Sequence, residues 1–314
     1  MDPNALFLQL LTGLQLGAIY ALIALGLTLI FGTLGFVNFA HGALYVIAIY
    51  AAVTVAANTN FLLAIILVPA LLFAIGVAFE RGLIRHFYTR PHTDQILITF
   101  GLAIVVEELM KWIFGANNIP FTLPEWGSGL MVFYSDWSAV PAVPVFQEAP
   151  SLWVPFIEGF VTYQFWRVVL IAVSLVTVAG LFALLQFTRF GLVVRAGMRD
   201  PEMLRFLGIN IAQKFAIVVG LGAAIAGIAG VFGGPITQVT PGVGMALLVP
   251  SFLVVVIGGM GSLSGALIAA ILIGMALSFS AEIANLQQIV VYLIAVVVLL
   301  VRPRGLFGKK GVFE

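Results

Sequence analysis

The residues able to do chemistry in this chain are few. There is no cysteine, and the three histidines are His41, His86 and His92, so disulfides, thiolate metal sites and thiol catalysis are excluded. His86 and His92 stand among arginines with no ligand partner, so no metal centre is expected. The phosphate-loop pattern G-x-x-x-x-G-K-[ST] is absent. The tail Gly305-Leu306-Phe307-Gly308-Lys309-Lys310 lacks both the spacing and the hydroxyl that such a loop needs. No hydrolytic or redox constellation is visible, so neither an enzyme nor a cofactor is expected. If the chain moves a solute uphill, a separate subunit must supply the energy.

Two polar patches interrupt apolar sequence. If residues from 36 onward are helical, Asn38, His41, Gly42 and Tyr45 share one face at i, i+3, i+4 and i+7. Such a stripe in lipid faces the bundle interior or a wet cavity, so it either braces a broken helix or lines a solute path. The second patch, Gly233-Gly234-Pro235-Ile236-Thr237-Gln238-Val239-Thr240-Pro241-Gly242, follows a Gly-rich apolar run. Paired interruptions in two halves point toward a transport path. The path is therefore expected to narrow between Asn38–Tyr45 and Thr237, Gln238, Thr240 and Gly242.

The stretch 190–210, FGLVVRAGMRDPEMLRFLGIN, holds a third candidate. Asp200 and Pro201 form a helix-start pair, Glu202 suits the first turn, and Gly208 stands at the C′ position. Met203, Leu204, Phe206 and Leu207 would leave a short helix with an apolar face that needs covering. It either folds back on the membrane interface or docks into a partner groove.

The elements that must position these residues are membrane spans. From Pro3 to Phe79 there is no charged side chain over 77 residues, hydrophobic residues are 62% of the chain, charged residues 9%, and mean hydropathy is +1.17. One crossing takes about 20 apolar residues. Apolar runs at 6–31, 36–57, 61–79, 95–114, 165–187, 215–233, 245–258, 262–281 and 286–301 predict eight or nine spans. The run 245–258 contains Pro250, so it is expected to be broken or re-entrant. Three crossings in the N-terminal block would put the N-terminus outside, whereas a re-entrant 36–57 would put it inside. The predicted fold is an all-α polytopic transmembrane helix bundle, a single domain over 1–314 with re-entrant or broken segments. With no basic n-region, the first run is expected to be a retained span.

Charge placement predicts orientation. Of 14 basic residues, twelve are Arg81, Arg85 and Arg90, then Arg189, Arg195, Arg199, Arg205 and Lys214, then Arg302, Arg304, Lys309 and Lys310. By the positive-inside rule these stretches, and with them the C-terminus, face the cytoplasm. Between Gly115 and Trp166 there is no Lys or Arg. Loop 115–164 is thus expected outside, with Trp126, Trp137, Trp153 and Trp166 touching the interface, and loop 188–214 inside. Gly13 with Gly17, Gly227 with Gly230, and Gly261 with Gly265 have the spacing of close helix packing in lipid. Glu107, Glu108 and Lys111 are spaced for local pairing.

A resemblance sharpens this. Glu202-Met203-Leu204-Arg205-Phe206-Leu207-Gly208 is similar to the E-A-A-x-x-x-G coupling loop of ABC importer permeases, with Met203 and Leu204 in place of the alanines. Gly13-Leu14-Gln15-Leu16-Gly17-Ala18-Ile19-Tyr20, Phe31-Gly32 and Asn38-Phe39-Ala40-His41-Gly42 resemble the branched-chain amino acid permease family of ABC transporters. So do Arg195-Ala196, Gly208-Ile209 and Gly258-Gly259-Met260-Gly261-Ser262. The resemblance implies a permease subunit in the bacterial cytoplasmic (inner) membrane. It implies a second permease subunit (the same chain or another), cytoplasmic ABC ATPase subunits and a periplasmic or lipid-anchored solute-binding protein. Lipid is the other partner, and no nucleic-acid partner is expected. Arg195, Asp200, Glu202, Met203, Leu204, Leu207 and Gly208 would then couple to the ATPase. The alternatives are a cation-coupled secondary transporter, which would want intramembrane carboxylates, or a channel.

Overall fold

The computed structural model describes residues 2–199, 201–281 and 286–308. Asp2 accepts from the Asn4 N–H at 3.2 Å and Pro3 takes the first turn, starting α1 (Pro3–Leu34). Its 32 residues at about 1.5 Å each reach about 48 Å, well beyond a hydrocarbon layer of about 30 Å. An irregular stretch, 36–40, that ends in a turn leads to α2 (His41–Asn58), α3 (Phe61–Gly82), a single 3₁₀ turn (Ile84–Phe87) and α4 (His92–Phe114). After the segment 115–164 come α6 (Phe165–Phe187), α7 (Arg189–Arg199), α8 (Pro201–Phe206) and α9 (Ile211–Gly233). The chain closes with α10 (Val243–Gly258), α11 (Leu263–Phe279) and α12 (Leu286–Val301). Each predicted apolar run corresponds to one of these helices. Among the described residues α1, α2, α3, α6 and α9 are long and apolar enough to cross a membrane, and α10, α11 and 289–301 are shorter apolar helices.

The chain is an all-α polytopic bundle built around α1, whose residues 18–25 are buried almost without exception. Glycines allow that depth of packing. A Cβ on Gly17 would stand 3.0 Å from the Ala270 carbonyl, and one on Gly274 would stand 2.3 Å from the Gly13 carbonyl, so α1 and α11 touch backbone to backbone. Gly227 lies against Pro69 of α3, and Gly230 against Ala48 of α2.

The start of α1 is tied to the segment 115–164. The Asn4 amide donates to the Glu158 carbonyl at 2.9 Å, and the Glu158 N–H donates back to Asn4 Oδ1 at 2.8 Å. The first helix therefore begins at the same end of the bundle as that segment, the three-crossing arrangement. The basic stretches gather at the other end. Tyr88 packs against Phe36 and Phe215, while Arg195, Gly261 and Phe307 surround the last turn of α1.

Segment 115–164 is a folded cap, which residue pattern alone had left as a loop. β1 (Leu130–Tyr134) pairs in parallel with β2 (Ser151–Trp153) and antiparallel with β3 (Phe160–Gln164), and a short α5 (Pro144–Gln147) bridges the first two. Phe133, Val154, Ile157 and Val161 form a small core that closes on Phe7 of α1. One tryptophan departs from the expected interface belt. Trp166 is fully buried, donates to the Phe232 carbonyl at 2.9 Å and stacks on the Phe232 ring, so it anchors α6 to α9. Trp126, Trp137 and Trp153 are exposed.

At the basic end Glu80 is buried and accepts from the Tyr88 hydroxyl at 2.8 Å. Burial, and then the Glu80 carboxylate, push the Tyr88 phenol well above its ordinary range, so it stays a neutral donor to Glu80. On α4, Lys111 pairs with Glu107 at 3.0 Å and Glu108 at 2.7 Å, as their spacing predicted.

Candidate translocation path and coupling surface

The two interrupted segments are handled differently. Gly35, at φ +61°, ends α1 in the left-handed conformation that favours glycine, and the chain turns back into the bundle as 36–40. Phe36, Val37, Asn38 and Ala40 are buried, so their backbone must be satisfied by protein. The Val37 N–H donates to Gln95 Oε1 at 3.2 Å, and the Phe39 N–H donates to Thr99 Oγ1 at 3.0 Å. Residues two apart in this irregular segment thus meet residues four apart on α4. The Gln95 amide also donates to the carbonyls of Phe87 and Arg90. Neither Gln95 nor Thr99 stood out in the sequence, although a polar pair at i, i+4 within an apolar stretch of α4 is a readable signal.

Because of this stretch, Asn38 is not on the helical face expected for it. Helix α2 starts at His41, and Asn38 Oδ1 accepts from the Ala40 N–H at 3.1 Å. The turn that Asn38 closes is what keeps the helix from starting earlier. His41 is fully buried, with its ring in the space that a side chain on Gly26 would need, 2.5 Å from that Cβ position. Gly42 meets Gly244, the second residue of α10, and a Cβ there would stand 2.7 Å from the Gly244 carbonyl oxygen. Gly42 is thus a helix–helix contact, and the expected constriction at this glycine is corrected to packing between α2 and α10.

The second patch does meet the first, at Tyr45. Its hydroxyl lies 3.3 Å from Thr237 Oγ1, which donates to the Gly233 carbonyl at 3.2 Å. Beyond Thr237 the segment turns toward the cap. Gln238 is exposed, Val239 accepts at 3.1 Å from the Ile119 N–H, and Gly242 has open space around it, with Glu107 Oε1 3.6 Å from a Cβ there. Thr240 is half-buried next to it. A cavity of about 290 Å³ opens at Thr237 and is bordered by α1, the start of α6 and Leu247 of α10. Arg167 is on its wall, a residue that the sequence reading passed over.

At the basic end α7 and α8 form the element expected to couple. Arg195 donates to the Leu185 carbonyl and, at 3.4 Å, to Gln186 Oε1, so its charge sits on the last turn of α6, where a cation is favourable. Gly208, at φ +75°, ends α8, and the Ile209 N–H donates to the Leu204 carbonyl at 3.0 Å. Met203, Phe206 and Leu207 are exposed, Phe206 at 86%. Leu204 is buried against Gly197, so its expected place on the open face is corrected. Met203, Phe206 and Leu207 hold that face as expected. Glu202 is exposed in the first turn, and Asp200 lies outside the described residues.

A family profile described as the branched-chain amino acid transport system permease component matches residues 9–301. The chain belongs to that family. The permease protein BraD of the high-affinity branched-chain amino acid transport system of Pseudomonas aeruginosa is 28% identical over 312 residues, 97% of this chain and 96% of the relative. The corresponding LivH of Salmonella typhimurium is 27% identical over 317 residues, again 97% and 96%. A probable LivH of Methanocaldococcus jannaschii is 26% identical over 310 residues, 91% and 88%. No solved structure matches the chain. As a member of this permease family the chain is a multi-pass membrane transport protein, and neither the secondary-transporter nor the channel alternative is supported.

Proposed function

We propose that this chain is a permease subunit of an ABC importer for branched-chain or related small aliphatic amino acids. Separate ATPase subunits drive it, a second permease subunit pairs with it, and a solute-binding protein delivers its substrate. It carries no phosphate loop of its own, so nucleotide chemistry falls to a partner. The observation that carries the reading is the permease-component match over 9–301. The open face of Met203, Phe206 and Leu207 supports ATPase docking there, because an apolar helix face next to the basic end needs a cover. The clustering of arginines supports a cytoplasmic assignment for that end, including the C-terminal tail, and an external one for the cap.

The test is uptake of radiolabelled L-leucine by cells that express the chain with its genomic neighbours, together with copurification from detergent. Leucine uptake and an ATPase in the purified complex are expected. A complex without an ATPase would overturn the class.

A further inference from the structure

Arg167 occupies an unusual position. It lies in the first turn of α6, where the helix dipole already carries partial positive charge and a further cation is unfavourable. Among the described residues no carboxylate pairs with it. Its Nε donates to Gln164 Oε1 at 3.2 Å, and its guanidinium lies over the Tyr163 ring, 5.6 Å from the centroid. Both partners come from β3, the last strand of the cap. That strand orients the fork while leaving the terminal Nη groups for something else.

Arg167 borders the 290 Å³ cavity next to Thr237. The same cavity is lined from α1 by Gln15, 2% exposed, whose Nε2 has no hydrogen-bond partner among the described residues. A buried, unpaired amide donor is costly and here shares a cavity with a guanidinium that no carboxylate among the described residues pairs. Together they ask for an anion, and a planar carboxylate suits the arginine fork. The rest of the lining divides in two. Thr12, Tyr20 and Thr237 offer hydroxyls that can accept from an ammonium, whereas Leu16, Ile19, Ile236 and Leu247 are aliphatic. The volume is at the small end of the range for ligand pockets, about 300–1,000 Å³.

From this juxtaposition we infer that the cavity is a binding site for a zwitterionic aliphatic amino acid on its way through the permease, with Arg167 and Gln15 receiving its carboxylate. This inference rests on the amino-acid reading above and assigns the recognising groups within it. The cap thereby has a direct part in substrate recognition, since Tyr163 and Gln164 hold the arginine.

The chain has no cysteine, so R167C in the assembled transporter can be modified selectively. Leucine uptake by R167C and R167Q is expected to fall by about tenfold or more, as loss of a charge-assisted contact implies, and R167K is expected to keep a substantial part. Treating R167C with a trimethylammonium-ethyl methanethiosulfonate should restore uptake, while the sulfonate-ethyl reagent should not. That charge-specific rescue would not follow from a merely structural arginine. Unchanged uptake by R167Q, or equal effects of both reagents on R167C, would overturn the site while leaving the permease reading intact. Failure of the unmodified transporter to take up leucine would instead overturn the amino-acid reading, and the site with it.

Discussion

The connections α1–α2 and α9–α10 both break apolar helices, yet they end in opposite physical states. In 36–40 the chain is largely buried, and the N–H groups of Val37, Phe39 and Ala40 are taken by Gln95, Thr99 and Asn38. In 234–242 the chain borders a cavity at Thr237, exposes Gln238 and leaves space at Gly242. Irregular backbone at membrane depth survives where protein satisfies it or where it lines a cavity, and this molecule uses one solution in each half. A broken helix therefore marks a solute path only when its polar groups have not already been spoken for. On that criterion we propose Thr237 for the path, whereas Asn38 Oδ1 and the residues it meets brace the first turn, with Asn38 Nδ2 left unpaired among the described residues.

The largest contrast is expected between two glycines. Gly42→Leu should prevent assembly, because its side chain would enter the α10 backbone at Gly244 and overpacking costs about 1–3 kcal/mol even where neighbours are side chains that can move. Gly242→Leu has room and should leave the protein foldable. Size-exclusion profiles of detergent extracts would compare them, and a monodisperse Gly42→Leu variant would break the distinction. Next comes Gln95→Ala, which orphans the Val37 N–H and the Phe87 and Arg90 carbonyls. At about 1–3 kcal/mol for a buried unsatisfied group, it should lower the melting temperature clearly more than Thr237→Ala does. Thr237→Ala should act on uptake instead.

Much of this architecture was legible in the residues. Nine apolar runs became nine helices because length and composition in lipid leave the backbone few options. The charge-free stretch and the sorting of arginines held the same information about ends. Harder to read were features set by contacts far apart in sequence. The start of α2 moved from 36 to 41 because Gly35 and Asn38 close turns and Gln95, some sixty residues away, captures the segment. The three strands of the cap are 5, 3 and 5 residues long and separated by proline-bearing connections, too short for alternation to declare itself. Six residues of α8 cannot fix a helical face by periodicity, so Leu204 turned inward while Met203, Phe206 and Leu207 stayed exposed as expected. Arg167 escaped notice because a lone cation beyond the basic clusters carries no pattern.

A smaller effect follows at the basic end. Tyr88→Phe removes the donor to buried Glu80 and is expected to cost about 1.5–3 kcal/mol, as for a hydrogen bond to a charged group. It should be visible as a lower melting temperature with uptake per folded molecule preserved. Smallest in stability is Phe206→Asp, since that ring is exposed. The variant should fold and insert normally yet lose ATPase copurification. Retained ATPase and normal uptake would mean that this face rests on the membrane.

On this reading the solute passes the second interruption and not the first. Single cysteines at Thr237 and at Asn38, on the cysteine-free chain in the assembled transporter, test it directly with a membrane-impermeant maleimide. The account predicts that T237C reacts and is protected by L-leucine, while N38C stays unreactive with or without leucine. An unreactive T237C beside an N38C that leucine protects would contradict it.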